Sequence, residues 1–153
     1  MTSPTHQSQA FWPLFPLFFV CLWVSVSFII SRTGWHSFAT RYPARSRPVG
    51  QVYNSPITSF GNLLANYRNV VQVVFTDSGV YLYAMFLFRA FHPPFLVPWD
   101  SVKRVEKRKG FFVTRYQLDI EDAAGEIHLL LPLKVEEDLF RFYKRDLTGD
   151  PAR

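Results

Sequence analysis

Phe11–Ile30, FWPLFPLFFVCLWVSVSFII, constrains this chain more than any other stretch. It holds no charge and no Gly, Asn or Gln. At about 1.5 Å rise per residue, a helix of that length reaches roughly 30 Å, the thickness of a bilayer's hydrocarbon core. Residues 11–31 are therefore expected to form one transmembrane helix, with 1–10 as a tail. Pro13 and Pro16 fall near its start, where first-turn N–H groups have no helical acceptor, so the helix is expected to begin near Trp12 or Pro13. A cleaved signal peptide is the main rival. It needs a basic n-region and a small-residue cleavage site. Residues 1–10 carry no Lys or Arg, and Ile30 runs into Ser31-Arg32-Thr33. A core helix of a soluble protein fits less well, because such helices rarely run so long without a polar face.

The basic residues near the span give an orientation. None precedes it; Arg32, Arg41, Arg45 and Arg47 follow it, with no acid before Asp77. The positive-inside rule then places the N-terminus outside and the C-terminal domain in the cytoplasm, in an inner (plasma) membrane. The single cysteine, Cys21, lies within the span, so no disulfide framework is expected.

About 100 residues remain for one domain. The net charge of +5 is uneven. Residues 99–115 hold six Lys or Arg against two acids, and residues 116–153 hold nine acids against five basic residues. For a tethered domain the nearest counter-ion is an anionic lipid headgroup, and no nucleic-acid partner is expected.

In Thr33–Tyr42, Trp35, Phe38 and Tyr42 recur at helical spacing, which predicts a short amphipathic juxtamembrane helix, lying along the interface or packed on the domain. Trp12, Trp35, Phe38 and Tyr42 are candidate membrane-interface anchors, since amphipathic rings settle at headgroup level. Residues 32–49 read as this helix plus a linker, Ala44–Gly50. Short strands follow: Gly50–Ser59, bent or at an edge because of Pro56; Asn69–Thr76; Val80–Phe88; Phe95–Val97; and Val102–Lys109. Phe111–Glu121 and Glu126–Leu131 read as a hairpin. Lys134–Leu147 reads as an amphipathic helix with Val135, Leu139, Phe142, Tyr143 and Leu147 on one stripe. The domain is thus expected over 50–148, with 149–153 as a tail.

That order of strands and one closing helix goes with two motifs. Val73–Tyr83 (V-x-F-T-D-S-G-V-Y-L-Y) and Leu96–Val105 (L-V-P-W-D-S-V-K-R-V) resemble the pleckstrin-homology-like superfamily, especially its GRAM and bacterial members. Gly34–Pro43 and His92–Trp99 are similar to segments of small bacterial single-pass membrane proteins. The resemblance implies a mainly β domain, a seven-stranded, partly open barrel capped by the C-terminal helix, in a superfamily that mostly binds lipids, peptides or proteins. The K-x(n)-[KR]-x-R phosphoinositide signature is missing, so that ligand is not implied.

No catalytic, cofactor or metal residues are expected: the four histidines lack ligand spacing, and no nucleophile or phosphate-loop motif occurs. Lys103, Arg104, Lys107, Arg108 and Lys109 form a candidate lipid-facing basic patch, against which stands a solvated edge strand protected by charge. With strict alternation, Lys103, Lys107 and Lys109 share one face. Phe91, His92, Pro93, Pro94 and Phe95 form a candidate hairpin-tip contact, although a rigid turn packed on the domain accounts for them better. Trp99 reads as a core plug. The expected function is a membrane-anchored binding or scaffold module without catalysis. The alternatives are a sensor of anionic lipid and an accessory subunit of a larger membrane complex.

Overall fold

A computed structural model describes residues 14–61 and 66–143. The first helix, α1 (Leu14–Arg32), is long and apolar enough to cross a bilayer, and only Ser27 and Ser31 along it are buried. Trp12 and the expected helix start lie outside the described residues, as do Leu147 and the expected helix end. Gly34, at φ 140°, turns the chain into α2 (Trp35–Arg41). A Cβ there would meet the Phe60 Cβ at 2.5 Å, so glycine is required by both backbone and space.

The rest is mainly β. The strands are β1 (Tyr53–Ser55), β2 (Ile57–Phe60), β3 (Asn66–Tyr67), β4 (Val71–Thr76), β5 (Gly79–Ala84), β6 (Phe95–Pro98), β7 (Val102–Lys109), β8 (Thr114–Asp122) and β9 (Gly125–Pro132). They form two antiparallel sheets, β1-β4-β5-β6 and β3-β2-β9-β8-β7. The expected seven-stranded barrel is thus replaced by nine described strands in two sheets that do not close. The chain crosses between sheets three times, before β2, before β4 and before β7, and side-chain hydrogen bonds hold two of these corners. Pro56, which has no N–H to give a ladder, separates β1 from β2. There Thr58 donates to the Ser55 hydroxyl at 2.9 Å, and Ser55 Oγ lies 2.8 Å from the carbonyls of Ile57 and Leu130. The 3₁₀ turn Trp99–Ser101 makes the last corner, where the Trp99 indole donates to the Thr76 carbonyl at 2.8 Å and stacks on Phe75. Bends that pass strands from sheet to sheet are the usual device of such sandwiches.

The expected strand Val80–Phe88 stops at Ala84. Its partner β4 ends opposite it at Val71, and the preceding Asn69 turns away at φ 54°. Past that point no ladder remains, and Phe86–Phe91 coil into a 3₁₀ helix instead. The apolar residues on both faces of β5 each find cover. One side joins the main core, with Val80, Leu82 and Ala84 fully buried. On the other, Val74, Tyr81 and Tyr83 are covered by Ala44, Val52 and Leu96. The expected linker is therefore a strap across the first sheet. The Ala44 amide donates to Pro94, and the Arg47 guanidinium lies 4.8 Å from the Tyr83 ring centre.

A short helix, α3 (Glu136–Phe142), follows the 3₁₀ turn Leu133–Val135. Val135, Leu139 and Tyr143 are its buried stripe. The Tyr53 hydroxyl donates to Asp138 at 2.8 Å, and burial with that carboxylate pushes its pKa up to about 12.

Candidate functional site

The juxtamembrane aromatics sit apart from the positions expected of them. Trp35 and Phe38 are 0% and 1% exposed, at the centre of the core rather than at a lipid interface. The reason is packing: Trp35 meets Phe60, Tyr67, His92 and Phe95 at ring separations of 4.9–5.7 Å, and its indole donates to the Pro93 carbonyl at 2.9 Å. Tyr42 is half-buried, and its carbonyl accepts from the Leu96 amide. The α2 segment thus packs into the domain's core rather than lying along a lipid interface.

The candidate tip at Phe91–Phe95 likewise divides. His92 and Phe95 are buried core residues, so they offer nothing to a partner. Phe91 and Pro94 are half-buried, and Pro93 is exposed. The His92 Nδ1 sits 2.8 Å from the Phe88 carbonyl, which only accepts, so Nδ1 carries the proton in the neutral ring. Nε2 then accepts from the Tyr67 hydroxyl at 3.0 Å, and the same hydroxyl lies 3.2 Å from the Ile30 carbonyl of α1. Burial lowers the His92 pKa and raises that of Tyr67. A lowered folded-state pKa means that the unfolded chain binds the proton more tightly. The neutral-ring contribution is therefore complete above the ordinary value near 6.5 and fades as pH falls below it. Acidification from pH 7.5 to 5.5 is expected to lower the wild-type melting temperature more than that of His92→Gln. Parallel losses in the two proteins would contradict this.

The basic strand is not an open cationic face. β7 is the edge of its sheet, with a register shift between Val102 and Arg104 that makes Lys103 a bulge. The bulge breaks the expected alternation. Arg104, Glu106 and Arg108 share one face, and Glu106 lies 3.3 Å from Arg104 and 3.8 Å from Arg108. Lys107 is on the other face, over the Tyr116 ring and 3.5 Å from Glu136. Lys103 Nζ donates to the Asp100 carbonyl at 3.2 Å. Two acids, Glu106 and Glu136, thus stand among the five cations of the patch.

A cationic excess gathers at the end of the β7–β8 hairpin. Arg108 is directly opposite Arg115, and Lys109 opposite Thr114. Between them the tip Gly110–Val113 closes with the Gly110 amide donating to the Val113 carbonyl. Phe111 and Phe112 crown this tip at 95% and 90% exposure, their rings edge to face 4.9 Å apart, with Val113 exposed beside them. In this domain the core aromatics Trp35, Phe38, Phe60, Phe75 and Phe95 are all buried, whereas Phe111 and Phe112, like Phe86 at 84%, stand almost fully exposed. The sequence reading placed Phe111 inside a strand and missed it. The available signal was Gly110 between two runs of alternating residues, a turn punctuator followed by Phe-Phe. Along β8 the tip lies about 30 Å from Asp122, at the usual rise per strand residue. Asp122 pairs with Arg41 of α2 at 3.0 Å.

At that opposite end an open cleft of about 630 Å³ is lined by Asp100, Lys103, Glu121, Asp122 and Glu126, among others. Its acids do not converge: among the described residues no group of three or more His, Cys, Asp or Glu is arranged to hold a metal. No family model, no curated protein and no solved structure matches the chain.

Proposed function

We propose that this chain is a bilayer-anchored binding module without catalysis, single-pass, with the β domain on the cytoplasmic side of an inner membrane. It meets anionic lipid headgroups through the tip of the β7–β8 hairpin. The observation that carries the reading is the Phe111–Phe112 pair, almost fully exposed and flanked by Arg108, Lys109 and Arg115. Two exposed rings in a basic collar suit a surface that is apolar below and anionic above. Burying each ring contributes about 1.5–3 kcal/mol, and each cation near an anionic surface about 1 kcal/mol. The apolar α1, uncharged up to its last residue, supports the anchor, and Arg32 at its end with Arg41, Arg45 and Arg47 after it supports the orientation. Two antiparallel sheets joined at bent corners and closed by a C-terminal helix support a pleckstrin-homology-like assignment, in an open rather than barrel-closed form.

The test uses the full chain in nanodiscs, with Cys21→Ser and an environment-sensitive fluorophore on Val113→Cys. Phosphatidylserine in the disc should shift the emission to the blue if the tip meets its own bilayer. Added phosphatidylserine vesicles should do so if it meets an apposed one. The shift should weaken from 0.1 to 1 M salt, as the Debye length falls from about 10 to about 3 Å. It should vanish in Phe111→Ser/Phe112→Ser, which alters only exposed positions. Emission indifferent to phosphatidylserine in both arms would refute lipid as the partner, and a shift only on adding a membrane extract would favour the accessory-subunit alternative.

A further inference from the structure

The 3₁₀ segment Phe86–Phe91 packs against α1. Phe88 meets Trp23 with ring centres 5.7 Å apart, and Phe91 meets Phe28 edge to face at 5.6 Å. The α1 side facing the domain is the stripe Trp23, Ser27, Ile30 and Ser31, spaced at i, i+4, i+7 and i+8. Its two serines are the buried residues of the helix, at 3% and 2% exposure. Small side chains there let the segment come close.

Trp23 precedes Arg32, the first charged residue of the helix, by nine positions, and Phe28 by four. At the helical rise these are about 14 Å and about 6 Å of travel into the apolar stretch, against a half-thickness of about 15 Å. A segment in ring contact with both residues shares their depth. Its outward side chains suit that surrounding: Met85, Phe86 and Leu87 are 40%, 84% and 62% exposed. Water is a poor surrounding for such a run, and acyl chains a good one. The backbone is prepared for it too. The Met85 amide donates to Val70, Phe88 to Met85 and His92 to Arg89, which reduces the unpaired polar groups that hydrocarbon penalises. Arg89, the one charge in the segment, is exposed and long enough to reach headgroups.

We infer that Met85–Phe91 enters the bilayer beside α1 as a shallow second insertion, its Met85, Phe86 and Leu87 side chains held among lipid acyl chains. The inference rests on the reading of α1 as a membrane span. It makes the domain lie against the bilayer rather than hang from a tether.

The test places one fluorophore per full-length protein in phosphatidylcholine nanodiscs. The sites are native Cys21 on α1, Phe86→Cys with Cys21→Ser, and Val49→Cys with Cys21→Ser. Phe86 and Val49 are both highly exposed, so neither change disturbs packing. Nitroxide-labelled acyl chains should quench the probes at 21 and 86, and aqueous iodide should quench only the probe at 49. Quenching at 86 by iodide, with 21 still quenched by lipid, overturns the insertion and leaves the span intact. Protection at 86 from both quenchers marks a protein partner and also overturns it. A Cys21 probe open to iodide overturns the span reading and the insertion together.

Discussion

Trp35→Ala is expected to lower the stability of the domain by about 3–5 kcal/mol, the range for removing a buried large aromatic. The indole is fully buried and touches four rings drawn from β2, β3, β6 and the residue after the 3₁₀ segment. Its loss empties the middle of the cluster and leaves the Pro93 carbonyl without its donor. Trp35→Phe should cost less, because it keeps most of the ring volume. Denaturant titration of the full chain in a mild micelle, followed by the near-ultraviolet signal of the core aromatics, gives both values. A Trp35→Ala loss below about 1 kcal/mol would contradict the cavity expectation.

Leu139→Ala should cost about 2–5 kcal/mol by the same mechanism. Leu139 is fully buried and is the middle of the stripe by which α3 closes the core, between Val135 and Tyr143. A helix of seven residues has little stability of its own, so this side chain holds it down. Glu137→Ala, on the exposed side, should shift stability by no more than about 0.5 kcal/mol. Equal melting of the Leu139→Ala and Glu137→Ala proteins would show that α3 does not close the core.

The segments that could be read from the sequence are those in which one physical signal points one way. Alternation around a tight turn marks β8 and β9, and helical spacing of Val135, Leu139 and Tyr143 marks α3. Mainly β composition with an apolar N-terminal helix followed from the same signals. The arrangement as nine strands in two sheets, in place of the seven-stranded, partly open barrel, did not, because strand pattern does not specify how sheets meet at their edges. Trp35 and Phe38 misled for a different reason: the same amphipathic spacing serves a lipid interface and a protein core equally. The two-sided apolarity of Tyr81–Tyr83 was visible, but the cover supplied by Ala44 and Val52 was not, since strap residues carry no periodicity of their own. On β7, the bulge at Lys103 takes that residue out of the face it was expected to share with Lys107 and Lys109. The cationic excess lies at the other end of β7, where Arg108 stands opposite Arg115 at a tip in which Phe111 had looked like a strand residue.

The joint at Gly34 leaves no slack. Arg32 ends α1, and three residues later Trp35 is locked in the core. The domain therefore has a fixed azimuth about the α1 axis and does not swivel beneath it. Each residue of a helix advances about 100° around that axis. Two copies meeting through a given face of α1 would then hold their hairpins at one dihedral relationship, set by which residues of α1 touch. Choosing a different contact face would rotate both hairpins like hands geared to a shaft. Pairing through α1 would in this way be read out as spacing and bearing between the Phe111–Phe112 tips.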